Sequence, residues 1–378
     1  MRWGFVISGL LILSVEAFFD NVRGPLIPVF TQTLQIDYAS ASLFLVWGSF
    51  VSVALTLLLL PILSRYSLRR VSLSICGLGV VAALYSFLVH GFFSLILLAV
   101  LVGGAVATMG AICNVLVMEG TDMHHRSRSM CALHMMYGFG SLVAPLVVRF
   151  FLERQISWPW IFISILPVIA ITALLLKRVL PAHKKEKVQV SLSMHLTALQ
   201  WLVIATFSIY VSAEVMSSMW MVTYLVESQH FSVAQAAPYL SGFFLAMALS
   251  RGFCFLSLRP SLEGVILALS LVLALFFFML GRLGHLWAFP LVGLLGPYFP
   301  LYLSRVSRNF PLEAHRLTIW ILSSVQLTLA CFHLFVGKLT DRLGVEVAYW
   351  LPPILLVAAL LMLGIFLISE KNRLAAQA

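Results

Sequence analysis

Apolar runs long enough to span a membrane, separated by short polar connections, recur along the whole chain and constrain its fold more than any other feature. A helix needs about 20 apolar residues to cross the hydrocarbon core of a bilayer. Hydrophobic residues make up 61% of the sequence and charged residues only 10%, whereas soluble proteins carry about 25% charged residues. We therefore predict an all-α membrane protein.

Twelve predicted spans account for most of the 378 residues. They cover residues 4–30, 39–63, 71–89, 92–118, 128–152, 158–179, 198–226, 232–257, 264–281, 286–304, 316–338 and 346–369. The first span is too long and too charged for a signal peptide, so we expect the mature protein to keep it. All five cysteines lie in predicted helices without the spacing of a disulfide or zinc motif, and we expect no metal or other cofactor.

The basic residues predict the orientation of the spans. With the N-terminus inside, 17 of the 24 Lys and Arg residues fall on the inner side and five on the outer side. Cytoplasmic loops are enriched in Lys and Arg. We therefore expect a multi-pass protein of the cell membrane, as in a bacterial inner membrane, with both termini cytoplasmic. Because the net charge of +10 comes mainly from these short loops, we expect no nucleic-acid partner.

The longest polar connection, from Pro181 to His195, divides the chain in the middle. We predict two pseudo-symmetric six-helix bundles, residues 1–180 and residues 198–378. A cytoplasmic linker, residues 181–197, joins them. Sliding one half over the other by 194 residues brings Asp20 onto Glu214. Two parallel halves of this kind are typical of transporters whose substrate site lies at the midplane between them.

Three charged residues interrupt the first span. Glu16, Asp20 and Arg23 are spaced four and three residues apart, so on a helix they share one face. Each such charge costs about 2.5 to 3.5 kcal/mol at the centre of a transmembrane helix. This face must therefore meet other helices or an aqueous cavity, which makes it a candidate functional site.

The acids Glu16, Asp20 and Glu214 are candidate proton carriers. Burial favours the neutral form of a carboxyl group, and release of the proton on opening to the cytosol would couple a proton gradient to movement. Asp20 has an alternative role as the structural ion-pair partner of Arg23. Glu214 has no Lys or Arg within two turns on its own helix. Arg23 could bind a carboxylate or phosphate of the solute, or only compensate Asp20.

Other polar and aromatic residues inside the spans are candidate solute contacts. Together with Asp20, Arg23 and Glu214, they are Asn114, His134, Tyr137, Trp220, Tyr298 and Gln326. Trp220, Tyr224 and Tyr298 could stack on a sugar ring or another flat solute, although Trp and Tyr also serve as interfacial anchors. A His within a span is often only a hydrogen-bonded packing residue. Residues with a predicted structural or gating role are Arg69, Arg70, Arg251 and Pro297.

Five stretches of the chain carry a resemblance to a known family. They are GPLIPVF (24–30), GAICNVLV (110–117), LHMMYGFGSLVAPL (133–146), YVSAEVMSSMWMVTYL (210–225) and LSGFFLAMALSRGF (240–253). On these stretches the chain resembles the major facilitator superfamily, and within it the fucose-permease-like branch. The resemblance implies the twelve-helix fold of that family, a sugar-like solute and uptake by proton symport. We also expect a monomer.

The chain departs from that family at two places. The family's loop signature between helices two and three appears here as PILSRYSLRR, in which Arg65 takes the place of an acid. The acids that sugar–proton members carry in helices one and four align here with Gly24 and Gly110. The family's own proton carriers therefore do not transfer. The positions that do line up are Asn114, His134, Trp220 and Tyr224.

The leading functional hypothesis is a proton-coupled secondary transporter that moves a small polar solute, sugar-like or an organic anion, by alternating access. The alternative is a proton-driven exporter of amphipathic compounds. Metal-ion transport, a transport-dead sensor and a membrane enzyme are weaker hypotheses. The metal-ion hypothesis rests on side chains that can bind metals, namely Met216, Met219, Glu119, Asp122, His124 and His125. The absence of a G-x-x-x-x-G-K-[ST] motif argues against ATP drive, and we expect no enzymatic activity.

Overall fold

The computed structural model describes residues 2–122, 126–181, 196–257, 262–311 and 313–377. Within these ranges the regular elements are all helical, and no strand occurs. Twelve segments of the described chain are long and apolar enough to cross a membrane. The predicted all-α class and the predicted number of spans are therefore confirmed.

The helices follow the predicted spans closely. The first six spans consist of Trp3–Asn21 with Arg23–Leu34, Tyr38–Arg65, Leu68–Tyr85 with the 3-10 turn Ser86–Leu88, Phe92–Gly120, Arg126–Glu153, and Pro159–Ile163 with Leu166–Val179. The last six consist of Ala198–Met219 with Met221–Gln229, Val233–Ser257, Glu263–Arg282, the 3-10 helix Leu286–Leu295 with Tyr298–Asn309, Ala314–Leu343, and Val345–Ala348 with Leu351–Gln377.

An even number of crossings places both ends of the chain on one side of the bundle. We call this side the terminal face, where the backbone N–H of Arg2 donates to the carbonyl of Gly120 at 2.7 Å. The opposite side is the far face, where the first span ends at Leu34 and the second begins at Tyr38.

Proline explains the breaks in the first and tenth spans. A proline lacks the N–H that would bond to the carbonyl four residues earlier, and its ring crowds that carbonyl. Pro25 therefore weakens the helix at Asn21, and the first span breaks at Val22. In the tenth span Pro297 and Pro300 act in the same way, and a 3-10 helix gives way to an α-helix at this point.

The first six spans meet the last six along three pairs of helices. The second span packs on the eleventh, and the fifth packs on the eighth. The far-face half of the first span, Arg23–Leu34, packs on the far-face half of the seventh, Met221–Gln229. Small residues permit close approach here. A Cβ atom at Gly24 would lie 2.9 Å from the carbonyl oxygen of Met219, and one at Gly138 would lie 3.2 Å from Cβ of Ala248. The candidate site lies along this interface.

Candidate functional site

The acid and the arginine of the first span form an ion pair in the protein interior. The Arg23 guanidinium contacts the Asp20 carboxylate, and its Nε also donates to the Asp20 backbone carbonyl at 3.1 Å. The two side chains are only 12% and 18% exposed. Space for the guanidinium comes from Gly48 of the second span, where a Cβ would lie 3.0 Å from an Arg23 nitrogen. Arg23 compensates the charge of Asp20 in this conformation, and it would have to release Asp20 in order to bind an anionic group of the solute.

The fifth span supplies a hydroxyl to the same carboxylate. Tyr137 donates to Oδ2 of Asp20 at 2.9 Å. Asn21 extends this network, because its Nδ2 donates to the Ser141 hydroxyl at 2.8 Å and to the Tyr137 hydroxyl at 3.4 Å. Asn21 was absent from the sequence-based candidates. The signal that could have revealed it is an amide directly beside Asp20 inside an apolar run.

Glu16 lies one turn closer to the terminal face and is buried, at 8% exposed. Its carboxyl group packs against the fourth span, with Oε1 3.5 Å from the place that a Cβ of Gly110 would take. Its Oε2 is buried and accepts no hydrogen bond from the described part of the chain. An isolated buried charge is very unfavourable. The neutral acid is therefore the form that this environment favours.

The last six spans carry a second charged cluster. The Tyr210 hydroxyl donates to Glu214 one turn further along the seventh span. Arg251 of the eighth span lies 3.9 Å from Glu214, measured from Nη2 to Oε1. Its Nε donates to the carbonyl of Gly296 at 3.0 Å, a carbonyl that loses its helical donor because Pro300 has no N–H. Glu214 has no Lys or Arg nearby on its own helix, and Arg251 of the eighth span provides the positive charge instead.

The two clusters face each other across the interface. Tyr137, which donates to Asp20, precedes Gly138 by one residue, and Arg251 follows Ala248 by three residues on the same face of the eighth span. The contact between Gly138 and Ala248 brings the fifth and eighth spans together one residue further along the fifth span. Candidate residues of the two halves therefore lie on either side of this contact in the interior.

The two predicted stacking aromatics are fully packed. Trp220 is 1% exposed, and its Nε1 donates to Nδ1 of His333 at 3.2 Å. Tyr298 is 0% exposed and stacks on Tyr210, with ring centroids 4.1 Å apart. In this conformation neither ring offers a face to a solute, so their observed role is packing. The seventh span also breaks at Trp220, which the predicted continuous helix over 198–226 did not anticipate.

The remaining candidates take varied positions. Asn114 donates to the carbonyl of Gly110 at 2.7 Å, within its own helix. Gln326 is half-buried in the eleventh span, and Pro297 is buried at the break of the tenth. The side chain of His134 lies outside the described part of the structure.

The loop arginines and the acidic loop cluster stand apart from the interior. Arg69 and Arg70 lie in the first turn of the third span at the terminal face, Arg70 exposed and Arg69 half-buried. His124 and His125 of the loop cluster fall outside the described residues. Where the chain is described, no three His, Cys, Asp or Glu residues are grouped so as to hold a metal ion.

The far face is closed by contacts between the two groups of spans. Asp341, in the last turn of the eleventh span, accepts hydrogen bonds from the backbone N–H groups of Tyr38 at 2.8 Å and Ala39 at 2.7 Å. The first N–H groups of a helix have no partner within it, so this carboxylate caps the second span from another helix. The Tyr38 hydroxyl also donates to Oε1 of Glu227 in the seventh span at 2.6 Å.

The N-cap of the second span is Asp37, just outside the membrane-spanning segment. Its side chain accepts from the backbone N–H of Ser40 at 2.8 Å. Hydrogen bonds from Ser40 lower the pKa of this carboxyl group. The cap therefore favours the ionised acid, in agreement with the preference of helix N-termini for negative charge.

A bundle of twelve spans with paired charges at its centre is the architecture of a membrane transporter. The chain belongs to the Major Facilitator Superfamily, whose family model matches residues 9–315. Membership of this family makes it a transporter rather than an enzyme. No curated protein sequence matches the chain.

Solved transporter structures share this fold. A mutant of the nucleoside transporter NupG superposes with a TM-score of 0.76 at 14% identity, covering 97% of this chain and 99% of that one. A bacterial homolog of the human lysosomal transporter Spinster, in an inward-facing and occupied conformation, gives a TM-score of 0.66 at 14% identity, covering 97% and 96%. At such identities the likeness extends to the fold alone.

Proposed function

We propose that the protein is a proton-coupled secondary transporter that moves a small polar solute by alternating access. The observation that carries the proposal is the pair of carboxylate–arginine clusters beside the contact between the fifth and eighth spans, at the interface of the two halves. Ionisable residues inside membrane spans mark solute and ion pathways because their burial is costly.

Glu16 is the proposed proton carrier. Asp20 and Glu214 each have an arginine partner, whereas Glu16 forms no ion pair with any residue that the structure describes. A carboxyl group in this position binds a proton when buried and releases it when water and cations reach it. Asp20 and Glu214 then act in solute binding, and their negative charges change partners when the site opens.

The resemblance to sugar–proton transporters supports this role for Glu16. In that branch one acid aligns with Gly110 of the fourth span. Here the Glu16 carboxyl group lies against Gly110, with Oε1 3.5 Å from the place that a Cβ of Gly110 would take. The first span thus delivers a carboxyl group to the place where the fourth would carry one. We propose on this basis that the protein is functionally related to the fucose-permease-like branch.

The proposed solute is sugar-like, with an organic anion as the second candidate. Hydroxyl groups both donate and accept hydrogen bonds, and the first cluster offers both partners in the Asp20 carboxylate and the amide of Asn21. An organic anion would have to displace Asp20 from Arg23 to gain its own ion pair. The similar fold of a nucleoside transporter adds nucleosides to the solutes worth testing.

We propose that residues 1–180 and 198–378 are the two moving bundles, joined by 181–197. The contacts at Asp341 and Glu227 join the two bundles at the far face, and we propose that they break when the site opens toward that side. The positive charge of the terminal-face loops supports a cytoplasmic location for that face and for both termini. We place the chain as a monomer in a bacterial inner membrane. The break at Pro297, with Arg251 on the adjacent carbonyl, is a proposed gating hinge.

A ligand screen followed by vesicle transport tests the proposal. Uridine, fucose, glucose and succinate are added to the purified protein, and the melting temperature is measured. A bound solute stabilises the folded state by mass action, so one of these classes is expected to raise it. An inside-alkaline pH step should then drive uptake of that solute into vesicles.

The exporter alternative predicts different results in the same two assays. An amphipathic dye, and none of the four polar solutes, would raise the melting temperature. Transport would also run as exchange of dye against protons. That pair of results would contradict the proposed uptake of a polar solute.

A further inference from the structure

A lateral groove opens between the second and third spans at the terminal face. It encloses about 680 Å³ and is lined mainly by apolar side chains. Leu55 and Ile62 of the second span face Ser74 and Leu78 of the third across it. Ile62 and Ser74 are exposed, and none of the lining residues belongs to the two charged clusters. The groove is therefore separate from the proposed solute site.

The groove has the depth of one membrane leaflet. Leu55 lies ten residues before the end of the second span at Arg65, and Leu78 lies ten residues after the start of the third at Leu68. At 1.5 Å per residue this is about 15 Å from the terminal face. The hydrocarbon core of a bilayer is about 30 Å thick, so the groove reaches from the membrane surface to mid-depth.

Positive charge lies at the mouth of the groove. Arg70 lines its end at the terminal face, and Arg65 and Arg69 belong to the same connection. Residues 61–74 contain these three arginines and no acid. The surface at this end of the groove therefore complements an anion.

We propose that this groove binds an anionic phospholipid from the leaflet at the terminal face. One acyl chain lies along Leu55, Leu59 and Leu78, and the phosphate contacts the guanidinium of Arg70. A guanidinium can bind phosphate oxygens through two parallel hydrogen bonds. Basic residues at the membrane surface also attract anionic lipids in general. The inference does not depend on the transported solute or on proton coupling.

Photo-crosslinking of the full chain tests the site directly. The protein is placed in nanodiscs with phosphatidylglycerol that carries a diazirine in the lower half of one acyl chain, and crosslinked peptides are mapped by mass spectrometry. We expect crosslinks within residues 55–78. Crosslinks spread evenly over all lipid-facing spans would overturn the proposal, and this experiment needs no variant to fold.

Two substitutions separate the headgroup contact from the groove. Arg70→Gln should lower retention of phosphatidylglycerol in native mass spectrometry about fivefold, the effect of one basic residue near an anionic surface, and leave phosphatidylcholine unchanged. Ser74→Trp should fill the groove and remove the crosslinks. Gly77→Trp is the matched control, because Gly77 is an exposed residue of the same helix with open space around it. It should crosslink as the unsubstituted protein does.

Three results would contradict the proposal. The first is equal retention of phosphatidylcholine and phosphatidylglycerol by the unsubstituted protein. The second is normal crosslinking of the Ser74→Trp variant. The third is displacement of the lipid by millimolar inorganic phosphate, which would identify a site for free phosphate rather than for a lipid headgroup.

Discussion

The charged clusters of the two halves differ in their charge balance and in their construction. The cluster of the first half has two acids, Glu16 and Asp20, and one arginine, and its ion pair lies within a single span, across the break at Val22. The cluster of the second half has one acid and one arginine, contributed by the seventh and eighth spans. The first cluster is therefore one positive charge short when its acids are ionised, whereas the second is balanced.

Because of this difference, we propose different functional roles for the two halves. A carboxyl group without a cation must gain a proton whenever it is buried, because an uncompensated buried charge is very unfavourable. A carboxylate held by an arginine and a tyrosine has no such need. We therefore propose that proton exchange takes place at Glu16 in the first half. For Glu214, which Tyr210 and Arg251 hold, we propose a role in solute binding or in closure of the site.

Removal of the surplus acid should have the largest effect. Glu16→Gln is expected to reduce pH-driven accumulation of solute in vesicles to background, because a glutamine cannot carry a proton. Exchange of solute without a gradient should continue, since the ion pairs remain. Glu153→Gln is the control, because Glu153 is an exposed acid paired with Arg149 on the surface. Normal accumulation by Glu16→Gln would break the comparison.

Loss of one arginine should affect the first half more than the second. Arg23→Gln leaves a buried Asp20 without its cation and should lower the free energy of unfolding by about 3 to 5 kcal/mol. Arg251→Gln should cost less, because Arg251 lies 3.9 Å from Glu214, whereas Arg23 is hydrogen-bonded directly to Asp20. Each carboxylate keeps its hydrogen bond from a tyrosine in both variants. Chemical denaturation in detergent micelles measures both.

A double variant separates charge from packing in that experiment. Arg23→Gln combined with Asp20→Asn removes the uncompensated charge and should recover part of the stability that Arg23→Gln loses. Equal losses for Arg23→Gln and Arg251→Gln, with no recovery in the double variant, would show that the two pairs contribute alike.

The far-face contacts should influence both halves equally. Asp341→Asn keeps one acceptor for the N–H groups of Tyr38 and Ala39 but loses the charge, at a cost of about 1 to 2 kcal/mol. The far face should then open more often, which can be measured as a longer distance between spin labels at Gln32 and Val347. The ratio of protons to solute should stay unchanged, and a changed ratio would place coupling outside the two clusters.

The smallest effect concerns a cap remote from both clusters. Asp37→Ala should lower the free energy of unfolding by about 1 kcal/mol through loss of the N-cap. Because the folded-state pKa of Asp37 is lowered, its contribution is present above the unfolded-state pKa of about 3.9 and is lost as the pH falls through the folded-state value. Melting temperatures of both proteins should converge at the acid end of a pH series. Transport should be unaffected.

Much of the fold could be predicted because apolar length is a local property of the sequence. The spans and the shared face of Glu16, Asp20 and Arg23 depend only on residue spacing. The break at Val22 also follows from the sequence, because Pro25 has no N–H to donate to the carbonyl of Asn21 four residues earlier. By contrast, the break at Trp220 has no proline or glycine beside it, and its side chain bonds to His333 in another span.

Contacts between distant residues could not be predicted from spacing. Tyr137 and Asp20 are 117 residues apart in sequence, and nothing local indicates that they share a hydrogen bond. The same holds for Arg251 and Glu214, so Glu214 looked uncompensated from its own helix. Tertiary packing gives Glu214 an arginine from the eighth span, whereas Glu16 forms no ion pair with any residue that the structure describes.

Proton movement triggered by solute tests the central claim most directly. Lightly buffered vesicles that contain the protein are mixed with the solute that the melting screen selects, and the external pH is recorded without an imposed gradient. We predict alkalinisation of the medium with the unsubstituted protein, and solute entry without any pH change with Glu16→Gln. Equal alkalinisation with both proteins would contradict the assignment of proton transfer to Glu16.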